Sequence, residues 1–195
     1  MAFLKNIWYV AAWADEVGRA LLARQILGEP VVLFRRQDGV AAAMADRCPH
    51  RFAPLSRGQL VDDTIECAYH GLRFDCSGQC SFNPHGNGQI PAKARVRSYP
   101  LAERHGLVWI WMGDPDAVTP FDPPIWAQAA PGKVSVVKVH ADCNWAQVLE
   151  GSIDSAHSSS LHSTNMPTAD SVASSTATRS EERRVGKECL RPCRS

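Results

Sequence analysis

Apolar and polar positions between residues 30 and 45 fall into two short runs around a polar turn. Pro30 to Arg36 (PVVLFRR) is a β-branched run, Asp38-Gly39 is a hairpin turn signal, and Val40 to Ala45 is the return strand. Arg95 to Leu101, the turn Glu103-Arg104-His105-Gly106 and Leu107 to Met112 (LVWIWM) read as a second hairpin. Strict alternation in LVWIWM puts Trp109 and Trp111 on one face and Val108, Ile110 and Met112 on the other. The indoles read as packing groups. Gly and Pro crowd between 77 and 91 and again between 113 and 132, and the second cluster reads as a linker. After it, Val134 to Val139 reads as a strand. Cys143 to Leu149 lacks turn residues and can begin a helix. The pattern predicts a first domain of short antiparallel strands, a linker, and a second segment of different character.

Composition narrows the class without naming a chemistry. The 195 residues are 45% apolar and 21% charged, with a net charge of +1, which is ordinary for a globular protein. Near-neutral charge gives no reason to expect nucleic acid or an anionic membrane as partner. No stretch approaches the roughly 20 apolar residues that span a bilayer. The start, Met1 to Val10, lacks a basic region followed by a long apolar core, so the expectation is a cytoplasmic protein. Seven cysteines fit poorly with a disulfide framework, because the number is odd and the chain is long enough to bury a core. Thiols here are expected as metal ligands or small buried hydrophobes.

Two of them sit in a telling pattern. Cys48-Pro49-His50 and Cys67-Ala68-Tyr69-His70 form a C-x-H…C-x-x-H pair separated by sixteen residues. Each half delivers one thiolate and one imidazole from a tight loop. A Rieske 2Fe–2S centre needs that mixture, two cysteines on one iron and two histidines on the other. The competing reading is a structural Cys2His2 zinc site. Zinc fingers usually pair like with like in each half, whereas here each half is mixed, which favours the cluster.

A second constellation lies at 150–162. Asp154, His157 and His162 make D-x-x-H-x-x-x-x-H. On a helical or near-helical segment Asp154 and His157 share a face, while His157 and His162 are five apart, which suits a distorted turn better than a straight helix. Two histidines with a carboxylate can form a facial triad for non-haem Fe(II). Taken alone, serine-flanked histidines on a surface loop are the favoured reading of this spacing.

The run Asp46 to Ser56 (DRCPHRFAPLS), with Cys67 to Asp75 (CAYHGLRFD), resembles the Rieske domain of bacterial ring-hydroxylating oxygenases, most closely the vanillate O-demethylase and phthalate dioxygenase branches. Pro49 and Gly71 sit where Rieske loops carry them. Asn6 to Trp13 and Tyr99 to Gly113 are similar as well, and the resemblance runs from about residue 5 to 168. Respiratory Rieske proteins carry two further, disulfide-linked loop cysteines. Ala53 and Tyr69 stand at the matching positions, which points to an oxygenase- or ferredoxin-type centre. Cys76 and Cys80 match no partner pattern and are expected to be structural.

The resemblance implies a fold and a set of roles. Residues 1–130 would be a mainly β Rieske domain with a Pro-rich linker, its antiparallel sheets carrying the 2Fe–2S loops at one end. Residues 131–178 would be the start of an α+β catalytic domain, with Asn144-Trp145 opening its helix. Cys48, His50, Cys67 and His70 would hold the cluster, and His157 and His162 the mononuclear Fe(II). Asp154 would be the aspartate that links this iron to the cluster of a neighbouring subunit. The third iron ligand would be an aspartate far downstream, since Asp170 follows His162 too closely. A reductase would pass electrons from NAD(P)H to the cluster, and O2 and an aromatic acid would be the substrates of hydroxylation or demethylation. A relay between neighbours suits a homo-oligomeric ring, a trimer or hexamer.

Residues 179–189 (RSEERRVGKEC) agree, codon by codon, with a translated short-read sequencing adapter. The expectation is that the genuine sequence stops near Thr178 and that 179–195 is an artefact, disordered and without function. Two other readings remain. A stand-alone Rieske ferredoxin would carry electrons, but it has no use for Asp154, His157 and His162. An inactive truncated product is the other.

Overall fold

Three small antiparallel sheets lie in layers, with the second sheet sandwiched between the others. The computed structural model describes residues 3–122, 124, 138–154, 156 and 157. Strands β1 (Ile7–Trp13), β2 (Leu22–Ile26), β3 (Glu29–Arg35) and β4 (Ala41–Ala45) come first. The short strands β5 (Gln59–Val61), β6 (Thr64–Glu66), β7 (Arg73–Phe74) and β8 (Cys80–Phe82) follow, then β9 (Leu101–Arg104) and β10 (Leu107–Met112). The sheets are ordered β1-β10-β9, β2-β3-β4 and β5-β6-β7-β8.

The near-continuous apolar run in β3 is explained by its place in the middle layer. Val31 and Leu33 join one core with Ala43, Val108, Ile110 and Met112. Val32 and Phe34 face the other way into a second core with Met44, Leu55, Ile65 and Phe74. A strand buried on both faces has no polar side to show. The register Val31↔Ala45, Val32↔Met44, Leu33↔Ala43 confirms the first hairpin.

In β10 the expected alternation holds. Val108, Ile110 and Met112 face the core between the first two sheets. Trp109 and Trp111 take the opposite face, where Phe121 lies tilted on Trp109 at 4.9 Å and Trp8 meets Trp111 edge-on at 5.5 Å. Trp8 also donates from Nε1 to Thr119 O, so the start of the Pro-rich stretch is stitched to the first sheet.

The second hairpin departs from expectation at its first strand and its turn. Regular pairing begins only at Leu101, and Arg95 and Ser98 make single bridges before it. Pro100 offers no N–H to a ladder, which delays the strand. The Arg104↔Leu107 pair leaves a two-residue turn, His105-Gly106, with φ of 57° and 72°. Two positive φ values match the twist of the flanking strands.

The chain divides into two compact units, Met1–Val134 and Ser135–Ser195. In the second, helix α1 (Trp145–Ile153) is capped by Asn144, whose Oδ1 accepts from Ala146 N at 3.0 Å. It begins two residues later than the run Cys143 to Leu149 suggests. Of the strand expected at Val134 to Val139, Lys138 and Val139 lie in no strand, and the rest falls outside the described residues. His162, Asp170 and the segment 179–195 also fall outside them. Among the described residues no helix is long and apolar enough to cross a membrane.

Candidate metal centre

Both cysteine–histidine pairs sit on loops at one end of the third sheet, one between β4 and β5 and the other between β6 and β7. The two loops share one hydrogen-bond plan. Cys48 N donates to Ala53 O at 2.9 Å and Phe52 N to Cys48 O at 2.8 Å. Cys67 N donates to Leu72 O at 2.8 Å and Gly71 N to Cys67 O at 2.9 Å. The fourth residue after each cysteine is left-handed, Phe52 at φ 59° and Gly71 at φ 70°. One turn geometry therefore serves both loops, although histidine follows two residues after cysteine in the first and three in the second.

That geometry sorts the donors by element. Cys48 and Cys67 are each 2% exposed, within the core between the second and third sheets. Burial above all, and then the neighbouring Cys67 thiol, push the Cys48 thiol up from its ordinary value. His50 is exposed and His70 half-buried, with ring centroids 4.5 Å apart. Desolvation first, and then the neighbouring His50, pull His70 below the usual imidazole value. Neutral imidazole is the form that binds metal.

Sulfur thus lies beside sulfur and imidazole beside imidazole. Among the described residues no three His, Cys, Asp or Glu side chains converge on one point. A single tetrahedral zinc wants four donors around one ion, whereas a 2Fe–2S cluster takes two donors at each end. The segregated donor set fits the cluster.

Each loop is held by a side chain from outside the Cys-x-His pattern. Asp46, 8% exposed, accepts from Ser56 N and Ser56 Oγ, both at 2.6 Å, and so closes the first loop at its base. The Arg47 guanidinium lies 4.1 Å over the Phe52 ring. In the second loop Tyr69 packs on the His70 ring at 4.1 Å. His85 lies 2.9 Å from the His70 carbonyl through Nε2; a carbonyl only accepts, so Nε2 carries the proton. A hollow of about 530 Å³ opens beside the imidazoles, lined among others by Pro49, Leu72, His85 and Lys93.

Asp46 and Ser56 bound the first motif without a role of their own in the sequence, and His85 lies outside both motifs. The signals were faint: an acid two residues before Cys48, and a histidine inside the polar turn Asn83 to Gln89. Cys76 is half-buried and Cys80 buried, and their thiols donate to the carbonyls of Asp63 and Phe82.

The second constellation is only partly in view. Helix α1 ends at Ile153, so Asp154 and His157 sit on the turn after it rather than on a helical face. The turn still joins them, with Asp154 Oδ2 3.6 Å from His157 Nδ1. Asp154 Oδ1 accepts from Ala156 N at 2.9 Å, which orients the carboxylate.

Comparison with known proteins bears on both constellations. Residues 7–100 match the Rieske [2Fe-2S] domain, and residues 110–188 match the LigXa C-terminal domain like family. The second match runs past Thr178 into the string that reads as a translated adapter. The oxygenase component of dicamba O-demethylase from Stenotrophomonas maltophilia is 46% identical over 170 residues, covering 86% of this chain and 50% of that protein. A vanillate O-demethylase oxygenase subunit from a Pseudomonas species is 33% identical over 172 residues, covering 84% and 46%. A crystal structure of dicamba monooxygenase bound to dicamba superposes with a TM-score of 0.76 at 45% identity, covering 84% of this chain and 49% of that one. The chain spans about half the length of the curated relatives it matches.

Proposed function

We propose, from the Rieske [2Fe-2S] match over residues 7–100 and the likeness to oxygenase components, that the chain is part of an oxygenase component acting on an aromatic substrate by hydroxylation or O-demethylation. The observation that carries the reading is the pair of twin loops, which bring two buried thiols together and two imidazoles together. Cys48 and Cys67 would hold one iron of a 2Fe–2S cluster, and His50 and His70 the other. His157 and His162 would hold a mononuclear Fe(II), completed by an aspartate from elsewhere in the parent protein. When bound, the cluster supplies one-electron storage and the Fe(II) supplies activation of dioxygen.

The chain's own residues divide the work. Burial of Cys48 and Cys67 keeps water from the sulfur end. Exposure of His50 leaves the imidazole end accessible to an electron-transfer partner. At the second constellation the Asp154 carboxylate, fixed by Ala156 N, faces His157 and would orient its ring. A separate reductase would bring the electrons of NAD(P)H, as the relatives' description as oxygenase components supports. A cytoplasmic homo-oligomer, trimer or hexamer, suits a relay through Asp154 between neighbouring subunits.

A stand-alone electron carrier is disfavoured because the family match continues beyond the Rieske domain, through residues 110–188. The test is chemical. Anaerobically purified parent protein should hold a 2Fe–2S cluster, seen as two acid-labile sulfides per chain, with two irons plus the mononuclear ion, and a Rieske-type EPR signal after reduction. Zinc without labile sulfide would end the proposal.

A further inference from the structure

The geometry points to His85 as a positioning residue that fixes the second cluster loop and sets the electrostatic potential at its histidine end. Its ring Nε2–H donates to the main-chain carbonyl of His70 at 2.9 Å, and the two rings meet edge-on at 6.1 Å. The first loop has its anchor at the base, in Asp46 and Ser56. The second is held at its tip, by a strap that crosses from the neighbouring turn.

The strap is itself well built. Asn83 Oδ1 accepts from His85 N at 3.1 Å, and Asn83 Nδ2 donates to Gln89 O at 2.7 Å. Gly88 N donates to His85 O at 3.0 Å. Pro84 Cγ lies 3.2 Å from where a Cβ on Gly71 would stand. Consecutive strap residues, Pro84 and His85, thus bear on consecutive loop residues, Gly71 and His70.

The carbonyl of His70 belongs to a residue assigned as a ligand. Without a fixed donor its partial negative charge would stand against the added electron, or be met by mobile water. The His85 N–H offsets that charge in a fixed direction. Hydrogen-bond donors near iron–sulfur clusters are among the features that set their potentials, and here the sign is plain: the donor favours the reduced form.

This inference rests on the assignment of the 2Fe–2S cluster to these loops. Absence of labile sulfide in the unmutated parent protein would remove that assignment before any variant is made. In loaded parent protein, His85→Leu deletes the donor and His85→Gln keeps an N–H at similar reach. A dye-mediated redox titration should place the Leu variant at a more negative midpoint, with the reduced-to-oxidised ratio at the wild-type midpoint falling several-fold. The Gln variant should stay within about two-fold of wild type. Leu assembling no cluster while Gln assembles one would also support the role, since the pair differs in the donor. A wild-type ratio in the Leu variant, equal shifts in both, or failure of both to load would overturn it.

Discussion

Phe52 and Gly71 hold the same left-handed position, four residues after the loop cysteine, in two loops with one hydrogen-bond plan. The residues meet that demand differently. Phe52 lies under the Arg47 guanidinium in the open, whereas Gly71 is pressed by Pro84. A non-glycine residue in this region costs about 1–2 kcal/mol. Gly71→Ala should therefore destabilise by about 1–2 kcal/mol and reduce cluster retention, because strain and crowding act together. Phe52→Gly should fall within about 1 kcal/mol of wild type, relieved strain offsetting added chain entropy. Urea unfolding with sulfide analysis checks both, and equal costs would refute the asymmetry.

Asp46 is the buried charged residue of the first domain among the described residues, and its carboxylate is met by two donors of Ser56. Charge-assisted hydrogen bonds of this kind contribute roughly 1.5–3 kcal/mol. Asp46→Ala strands the Ser56 N–H and should cost about 2–3 kcal/mol. Ser56→Ala removes only the hydroxyl bond and should cost about 1 kcal/mol. Chemical denaturation of the two variants decides whether the loop base is anchored as described.

Glu29 and Tyr99 give opposite pH windows. The Tyr99 phenol, buried and facing the Glu29 carboxylate, is pushed up to about 12 from an ordinary 10, burial being the larger cause. A raised value means stability in full below pH 10 that falls as pH climbs towards about 12. The gap corresponds to on the order of 2–3 kcal/mol, and Tyr99→Phe should flatten the alkaline slope. Glu29 is lowered from 4.5, first by the bond from Lys5. Its contribution is present above 4.5 and is lost as pH falls through the lower folded value. Lys5→Met should move the acid transition to higher pH, and thermal melts across both ranges measure the two effects.

Thiol reactivity should follow burial. In metal-free protein the Cys48 thiol is buried and held above its ordinary value, while Cys143 is exposed. Mass-resolved maleimide labelling at neutral pH should modify Cys143 at least ten-fold faster than Cys48 or Cys67, since the thiolate is the nucleophile. Metal loading should abolish labelling of the latter pair. Rapid labelling of Cys48 would mean that the core between the second and third sheets is open.

Much of this was legible because chemistry and period coincided. Cys48, His50, Cys67 and His70 declare themselves by residue type and spacing. The run around Phe34 is long enough to show its burial, and Asp38-Gly39 marks its turn. The third sheet escaped notice because β5 to β8 run only two or three residues, too short for alternation to register. Pro100 shifted a strand boundary that propensity placed earlier. His85 was hidden for a different reason. Its partner is a main-chain carbonyl fifteen residues away, and no residue type announces such a bond in a turn rich in Asn, Pro and Gly. Asp154 and His157 were read on a helical or near-helical segment, whereas the helix ends at Ile153, before either of them.

That early stop matters for what Asp154 can do. As the C-cap residue after Ile153 it still closes the last turn, its N donating to Glu150 O at 2.9 Å, while Ala156 N donates to one carboxylate oxygen and the other faces His157 Nδ1 at 3.6 Å. An oriented carboxylate beside an imidazole orients the ring, and outer-shell partners of this kind are worth about 10–100-fold in metal affinity or activity. Asp154→Asn keeps the size and the bond from Ala156 N but removes the charge. In the loaded parent protein this variant should leave the cluster reducible by the reductase at the wild-type rate. Discharge to the mononuclear iron, followed by stopped-flow absorbance in a single turnover, should slow by at least about ten-fold. Equal slowing of both phases would mark a folding defect instead, and unchanged discharge would remove Asp154 from the relay.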